Sequence, residues 1–410
     1  MNKKLMAIAV AGALGVPAAA FAQASNYQIY GRLHTGLDNW EATGATAGNG
    51  ANDFKPRNRV YDNGSRIGIR GTEDLGGGMR ALFVIESGAS IDSGSANGQN
   101  GQANASGGTL ASRDSYVGLG GNWGDVRFGR QSIYWVEGTI SQFSANYINQ
   151  ELSWLNGANL GRVAGPSARV SNVVSYNSPT VGGFNGTFSY APNSETTQAT
   201  GTGVYTNAVI SGLTLRYNGV VNAQLDLGSN TAATPATGTT GQQKVTGTKV
   251  GLAYPYMPGA QVSMVYINGK NANVNAGQAG FTNAGDTVKT SSWNLIWEQT
   301  FGNIQALAEY GRVANATGCS ATATNGTGAN GCDDSGSKGY VLGVRYLLSK
   351  RTAVYTSYIK LENSANGTAD ASGGAYSSVS SVAGIGNGSL PNASAGADVK
   401  VIAIGILHNF

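Results

Sequence analysis

Along most of this 410-residue chain apolar residues fall at every second position, with polar or charged residues between them. YVLGVRY separates Tyr340, Leu342, Val344 and Tyr346 from Val341, Gly343 and Arg345. WNLIWE sets Trp293, Leu295 and Trp297 against Asn294, Ile296 and Glu298; LTLRYNGVV sets Leu213, Leu215 and Tyr217 against Thr214, Arg216 and Asn218. Side chains on a strand alternate between two faces, so a period of two specifies strands whose faces meet different surroundings. Sixteen segments carry the pattern, near 26–39, 59–73, 78–91, 110–121, 125–131, 169–178, 183–192, 204–211, 213–223, 244–255, 260–268, 288–300, 303–313, 338–348, 351–362 and 397–410. The chain is all-β.

The segments are joined alternately by tight turns and long polar loops. DLGGG, GNWG, SPTVGG, the Ser211-Gly212 step, YPYMPG, TFGN and LLSKR are short. SGSANGQNGQANASGG, GSNTAATPATGTTGQQ, NANVNAGQAGFTNAG and the stretch from Ser364 to Gly396 are long. Loops of that length are uncommon in compact domains. An antiparallel meander with one short-turn end and one long-loop end accounts for both. Short periplasmic turns and long extracellular loops belong to outer-membrane barrels. The alternative is a secreted soluble sandwich or solenoid, whose dry core would not tolerate so many Arg, Asn, Gln, Thr and Glu on the second face. Lipid outside and water inside fits the sided pattern. In VKVIAIGILHNF, Ile402, Ile404, Ile406, His408 and Phe410 share one face. Pairing that last strand with the first removes the open edges lipid does not tolerate. Sixteen strands also leave an aqueous lumen rather than a packed core.

Composition narrows the function. Charged residues are 12% of the chain, against about 25% in typical globular proteins, and basic and acidic residues nearly balance. Neither nucleic acid nor an acidic surface is indicated as partner. Lys3 and Lys4, the apolar run Leu5–Ala19 and Ala20-Phe21-Ala22 form a secretory signal peptide over residues 1–22, cleaved after Ala22 or Ala24. Residues 23–410 form one barrel domain, and nothing in them approaches the ~18 consecutive apolar residues of a spanning helix. Cys319 and Cys332 flank SATATNGTGANG in a chain routed to an oxidising compartment, which points to a loop disulfide. A catalytic barrel would need a histidine beside its serine, and only His34 and His408 exist. HExxH, P-loop and Cys-x-x-Cys motifs are absent, so no enzyme, metal or cofactor is indicated.

SRIGIRGTEDLGGGMRALFVIES, RDSYVGLGGNWGDVRFGRQ, VSNVVSYNSPTVGGF and the terminal LHNF resemble the trimeric general porins of β-proteobacteria, over essentially the whole mature chain. The resemblance implies a homotrimer of sixteen-stranded antiparallel barrels in the Gram-negative outer membrane, among lipid and lipopolysaccharide, with Phe410 as the C-terminal assembly signature. It also implies that the third long loop, about residues 131–168, folds into the barrel and narrows it. That loop carries the acids Glu137 and Glu151. Facing it, the resemblance places Arg32 in YGRLHTG, Arg66 in GSRIG, Arg113 in SRDSYVGL and Arg130 in FGRQ. Parity agrees for Arg32, opposite Leu33 and Leu37, for Arg66, opposite Ile67, and for Arg113, opposite Tyr116. Arg130 shares a face with Val126 and Phe128 and rests on the resemblance alone; Arg127 is the inward residue by parity and a further candidate. Arg70 and Arg80 lie nearer the short turn with Glu73 and Asp74, at a periplasmic vestibule. His34 shares the face of Arg32, as a polar spacer.

The implied activity is passive diffusion of small hydrophilic solutes and ions. More arginines than acids at the neck imply a preference for anions, because a low-dielectric constriction focuses potential. Two other readings stand beside it: a selective channel for phosphate or organic acids, whose oxygens suit guanidinium groups, and an adhesin acting through its long loops.

Overall fold

The computed structural model describes residues 26–46, 50, 53–89, 91, 110–133, 168–193, 208–235, 242–274, 285–319, 332–367, 369 and 394–410. Residues 1–22, expected to be a signal peptide, and most of the segment 131–168, including Glu137 and Glu151, lie outside them. The strands are β1 (Asn26–Thr43), β2 (Phe54–Asp62), β3 (Arg66–Gly76), β4 (Met79–Gly88), β5 (Ser115–Gly121), β6 (Gly124–Ile133), β7 (Ala168–Asn177) and β8 (Phe184–Asn193). They continue with β9 (Ala208–Tyr217), β10 (Asn222–Pro235), β11 (Gln242–Met257), β12 (Ala260–Ala272) and β13 (Thr287–Phe301). The last four are β14 (Ile304–Val313), β15 (Ser337–Leu347), β16 (Thr352–Asn363) and β17 (Asp398–Asn409).

Each strand pairs antiparallel with its neighbours, and β17 returns to β1 from Arg32↔Asn409 to Thr43↔Asp398, closing the sheet. Both β2 and β3 lie along β1: β3 against its first half, Asn26 to Arg32, and β2 against the second, Thr35 to Ala42. They are two halves of one stave, so the seventeen strands make a sixteen-stave barrel. The break falls at Asn63-Gly64-Ser65, where Asp62 Oδ1 accepts the N–H groups of Gly64 (3.0 Å) and Ser65 (3.1 Å). This local side-chain turn competes with the ladder and interrupts it.

One stave differs from the sequence expectation. The segments 204–211 and 213–223 were separated there by a turn at Ser211-Gly212, but that pair lies inside β9, and the turn falls at residues 218–221. Neither Ser211 nor Gly212 has a positive φ, so a Ser-Gly step imposes no reversal where the alternation continues through it. The ladder from Ala223↔Tyr217 to Thr231↔Val209 recruits part of GSNTAATPATGTTGQQ, read as loop, into β10. One expected strand is lost and one gained, which preserves sixteen staves.

The two faces sort as the period of two requires. Leu37, Ile67, Ile69, Leu295, Leu342, Val344, Ile402 and Ile404 are exposed on the outer surface. Inside, Arg32, His34, Gln224, Asp226, Lys249, Asn294, Glu298 and Glu309 are buried. The inner face also carries a dry apolar cluster that includes Trp40, Tyr61, Ile296, Val341, Ile359 and Val401, so it is less uniformly polar than the alternation suggests. The carboxy-terminal residue fixes the seam: Gly31 N donates to Phe410 O (3.0 Å) and Phe410 N to Gly31 O (3.1 Å). A Cβ on Gly31 would come within 2.2 Å of Phe410 Cζ, so the ring lies directly over this glycine and a larger residue would displace it. At the long-loop end, Cys319 and Cys332 form a disulfide with Cα atoms 5.8 Å apart, over a small core of Val245, Val274, Val288 and Ala316.

Candidate functional site on the inner wall

The inward face of β4 carries a carboxylate that organises its basic neighbours. Glu86 accepts a hydrogen bond from Arg113 Nε at one oxygen. At the other it accepts the hydroxyl of Tyr30 (3.0 Å), with Arg66 Nε at 3.9 Å. Backbone bonds hold this arrangement: Arg113 N donates to Glu86 O (2.9 Å), and Glu86 N to Ser115 Oγ (3.1 Å). Asp114 is a second acidic centre, 3.2 Å from Arg169 Nε on β7 and accepting the hydroxyl of Ser132 (2.9 Å).

Electrostatic neighbourhoods join these groups into one cluster. Arg32 lies in range of Arg66, Arg113 and Arg345, and Arg169 in range of Arg66 and Arg113. Five guanidinium groups from β1, β3, β7, β15 and the approach to β5 are therefore linked as neighbours, with Glu86 beside Arg66 and Arg113 and Asp114 beside Arg169. Closure of the barrel brings Arg345 into the set, where Gln305 Oε1 accepts from its Nε at 2.8 Å.

Arg32 is anchored across the seam. Its Nη2 donates to His34 Nδ1 at 2.9 Å. Guanidinium can only donate, so Nδ1 is an acceptor and the imidazole proton sits on Nε2. Nε2 then donates to Tyr355 Oη at 2.8 Å. Tyr355 shares a hydrogen bond with the Tyr61 hydroxyl, which reaches Ile404 O at 3.4 Å. His34 is wholly buried. Instead of lining the lumen as a spacer, it transmits the position of Arg32 to β2, β16 and β17.

The residues singled out from sequence fall into three places. Arg32, Arg66 and Arg113 are in the cluster. The parity argument for Arg113 fails, however: Val117 and Leu119 point outward and Tyr116 inward, beneath Arg127 at 4.8 Å. Arg113 precedes β5, where strand parity does not reach, and Glu86 turns it inward. Arg127 belongs to a lower tier, donating to Asp125 Oδ1 (2.5 Å) and sharing a cavity of about 340 Å³ with Arg70 and Arg80. Arg70 there bonds Gln28 Oε1 (2.8 Å) and lies over the Tyr30 ring at 4.9 Å. Arg130 reaches the cluster only at its edge, in range of Asp114. It sits at a break in the β6–β7 register, its Nε donating to Ser112 O (3.1 Å) and its Nη1 to Ser171 Oγ (3.0 Å). Sequence reasoning did not single out Glu86, Asp114, Arg169 or Arg345 for the site. Among the described residues no group of acids, histidines or cysteines could hold a metal ion.

The fold has counterparts in known proteins. The family profile described as Gram-negative porin matches residues 7–366. The outer membrane porin protein 32 of Delftia acidovorans is 34% identical over 238 residues, 57% of this chain and 61% of that protein's length. The major outer membrane protein P.IB of Neisseria lactamica is 26% identical over 87% of this chain and 92% of its own. In fold, the chain resembles an anion-selective porin from Comamonas acidovorans, with a TM-score of 0.63 at 23% identity over 94% of this chain and all of the other. It likewise resembles the trimer form of OmpT of Vibrio cholerae, with a TM-score of 0.60 at 14% identity, over 94% of this chain and 100% of that one. With a closed barrel of sixteen staves and a family match across most of its length, the chain belongs to the Gram-negative porins of the outer membrane.

Proposed function

We propose that this porin forms a water-filled channel through which small hydrophilic solutes and ions diffuse passively, with anions preferred. The observation carrying the preference is the excess of five clustered guanidinium groups over two carboxylates. Glu137 and Glu151, outside the described residues, would add two acids and still leave the arginines in excess. Fixed cations beside a narrow aqueous path raise the local concentration of anions and oppose cations. Glu86 and Asp114 keep the arginines from repelling one another without cancelling them. Passage then involves no covalent step: a solute exchanges part of its hydration for guanidinium N–H groups and moves on, because no single site holds it.

Likeness to an anion-selective porin and to a trimeric one supports both the preference and a homotrimeric assembly. Planar-bilayer recording tests all of this together. The reversal potential across a KCl gradient is expected to have the sign of chloride selectivity, and closures are expected in groups of three. Clear cation selectivity would refute the preference, and single-step closure the trimer.

A further inference from the structure

We propose that the cavity of about 340 Å³ on the inner wall at the short-turn end binds an aromatic monocarboxylate, an anion of the benzoate class, in preference to aliphatic or inorganic anions. The inference deepens the anion preference proposed above and rests on it. Arg70 on β3, Arg80 on β4 and Arg127 on β6 line the cavity. The Arg80 guanidinium has no hydrogen-bond or ion-pair partner among the described residues. Arg70 uses Nε on Gln28 Oε1 (2.8 Å). Arg127 pairs with Asp125 through Nε (2.5 Å) and Nη2 (3.4 Å). Asp74, opposite Arg80 in the β3–β4 ladder, accepts Gly76 N at 2.8 Å. Three guanidinium groups thus stand against two carboxylates, and one further carboxylate restores the balance. A doubly charged anion would overshoot it.

The surroundings of these cations decide what carries that carboxylate. Arg70 Cζ lies 4.9 Å from the centroid of the inward Tyr30 ring, and Arg127 Cζ 4.8 Å from that of Tyr116. A Cβ on Gly68 would come within 2.5 Å of the Tyr30 ring, so that ring lies directly against the wall with Arg70 over it. A guanidinium with one face on a ring turns its other face away from it, and such a flat, delocalised cation stacks on aromatic solutes as well as bonding carboxylates. Leu82 and Val84 alternate with Arg80 and Glu86 along β4 and give the same cavity an apolar floor. Chloride or phosphate would use only the N–H groups. An aliphatic carboxylate adds Leu82 and Val84. A ring bearing a carboxylate uses the N–H groups, the floor and the guanidinium faces together. The cavity lies at the lower end of the range of about 300–1,000 Å³ typical of ligand pockets, which gives room for a single ring.

The test is block of KCl current by carboxylates in planar bilayers holding the full-length porin. Benzoate, cyclohexanecarboxylate and acetate carry the same charge, and the first two have the same number of carbons. In wild type, half-block by benzoate is expected at about tenfold lower concentration than by cyclohexanecarboxylate, since each cation–ring stack adds to binding. Arg70→Lys/Arg127→Lys keeps both charges and removes the flat faces. Benzoate should then block no better than cyclohexanecarboxylate, with acetate as in wild type. Arg80→Gln alters an exposed side chain, so it keeps the question open to refutation even if the lysine variant assembles poorly. It should weaken block by all three carboxylates by about threefold or more and leave their order unchanged. Equal block by benzoate and cyclohexanecarboxylate in wild type would overturn the proposal, as would a benzoate preference surviving in the lysine variant or block unaffected by Arg80→Gln. Cation selectivity in a KCl gradient would instead refute the anion channel, because the block ratio is read from conductance whatever the sign of selectivity.

Discussion

Two parts of the inner wall hold cations and treat them in opposite ways. On β10 and β11, Lys249 Nζ meets Asp226 at 3.1 Å with both side chains 1% exposed, and Thr214 and Gln224 complete the carboxylate's partners at 2.6 Å each. On the arginine side, Glu86 is shared between Arg66 and Arg113, and Asp114 serves Arg169. One carboxylate per cation cancels the charge at a distance and leaves a structural clasp. Fewer carboxylates than cations leave a field. The ratio of partners, rather than the presence of a buried cation, separates the two walls, and under the proposed function the wall with cations in excess is the one that would act on passing solutes.

The largest expected effect breaks the clasp. Lys249→Met strands the Asp226 carboxylate in a buried site and should cost about 3–5 kcal/mol of barrel stability. The double variant Lys249→Met/Asp226→Leu should recover most of it, because replacing a whole buried pair by apolar groups is often neutral. Unfolding midpoints in detergent check both, and the reversal potential of the double variant should match wild type. If the double variant lost ion preference, the clasp would be contributing to the field and the contrast between the walls would fail.

Next in size is removal of the excess itself. Arg66→Gln/Arg113→Gln takes two of the five clustered cations and should lower the anion-to-cation permeability ratio several-fold in a KCl gradient. Glu86→Gln works in the opposite direction and more weakly: it removes the shared carboxylate, so the ratio should rise by about twofold. A fall in the ratio after Glu86→Gln would mean that placement of Arg113 by Glu86 matters more than the net charge.

The barrel was readable because alternation and turn chemistry agree over most of the chain, and an error at Ser211-Gly212 was absorbed by NAQLDLGS, which alternates as well as any strand. The site was readable only in part. Arg32 and Arg66 follow from parity because they pair with each other at the last regular position of the β1–β3 ladder, where the two-residue count still holds. Glu86 was open to the same logic, opposite outward Ile85, but a lone acid in ALFVIE carries no signal until Arg113 is beside it. Arg345 required closure across the seam. Arg169 opens β7 opposite Ser132, but Asn172, with φ at 60°, interrupts the two-residue count that would have linked it to Ser175. Parity is a rule for unbroken strands, and this site gathers where strands begin, bulge or end.

That limit yields the smallest and most discriminating comparison, between Arg130 and Arg169. Resemblance favours Arg130, whereas geometry favours Arg169: its guanidinium lies by Asp114 and within range of Arg66 and Arg113, while Arg130, also in range of Asp114, has its Nε and Nη1 occupied by Ser112 O and Ser171 Oγ. Replacing either by glutamine removes one positive charge at nearly the same point along the chain fold, so overall charge cannot separate them. Arg169→Gln should lower the permeability ratio by about twofold, as expected for one cation inside a focused field. Arg130→Gln should lower it by less, since its Nε and Nη1 are held by Ser112 O and Ser171 Oγ and its neighbourhood takes in Asp114 rather than Arg66 and Arg113. Equal effects from the two would place Arg130 in the cluster after all and make position in the family motif a better guide than partners.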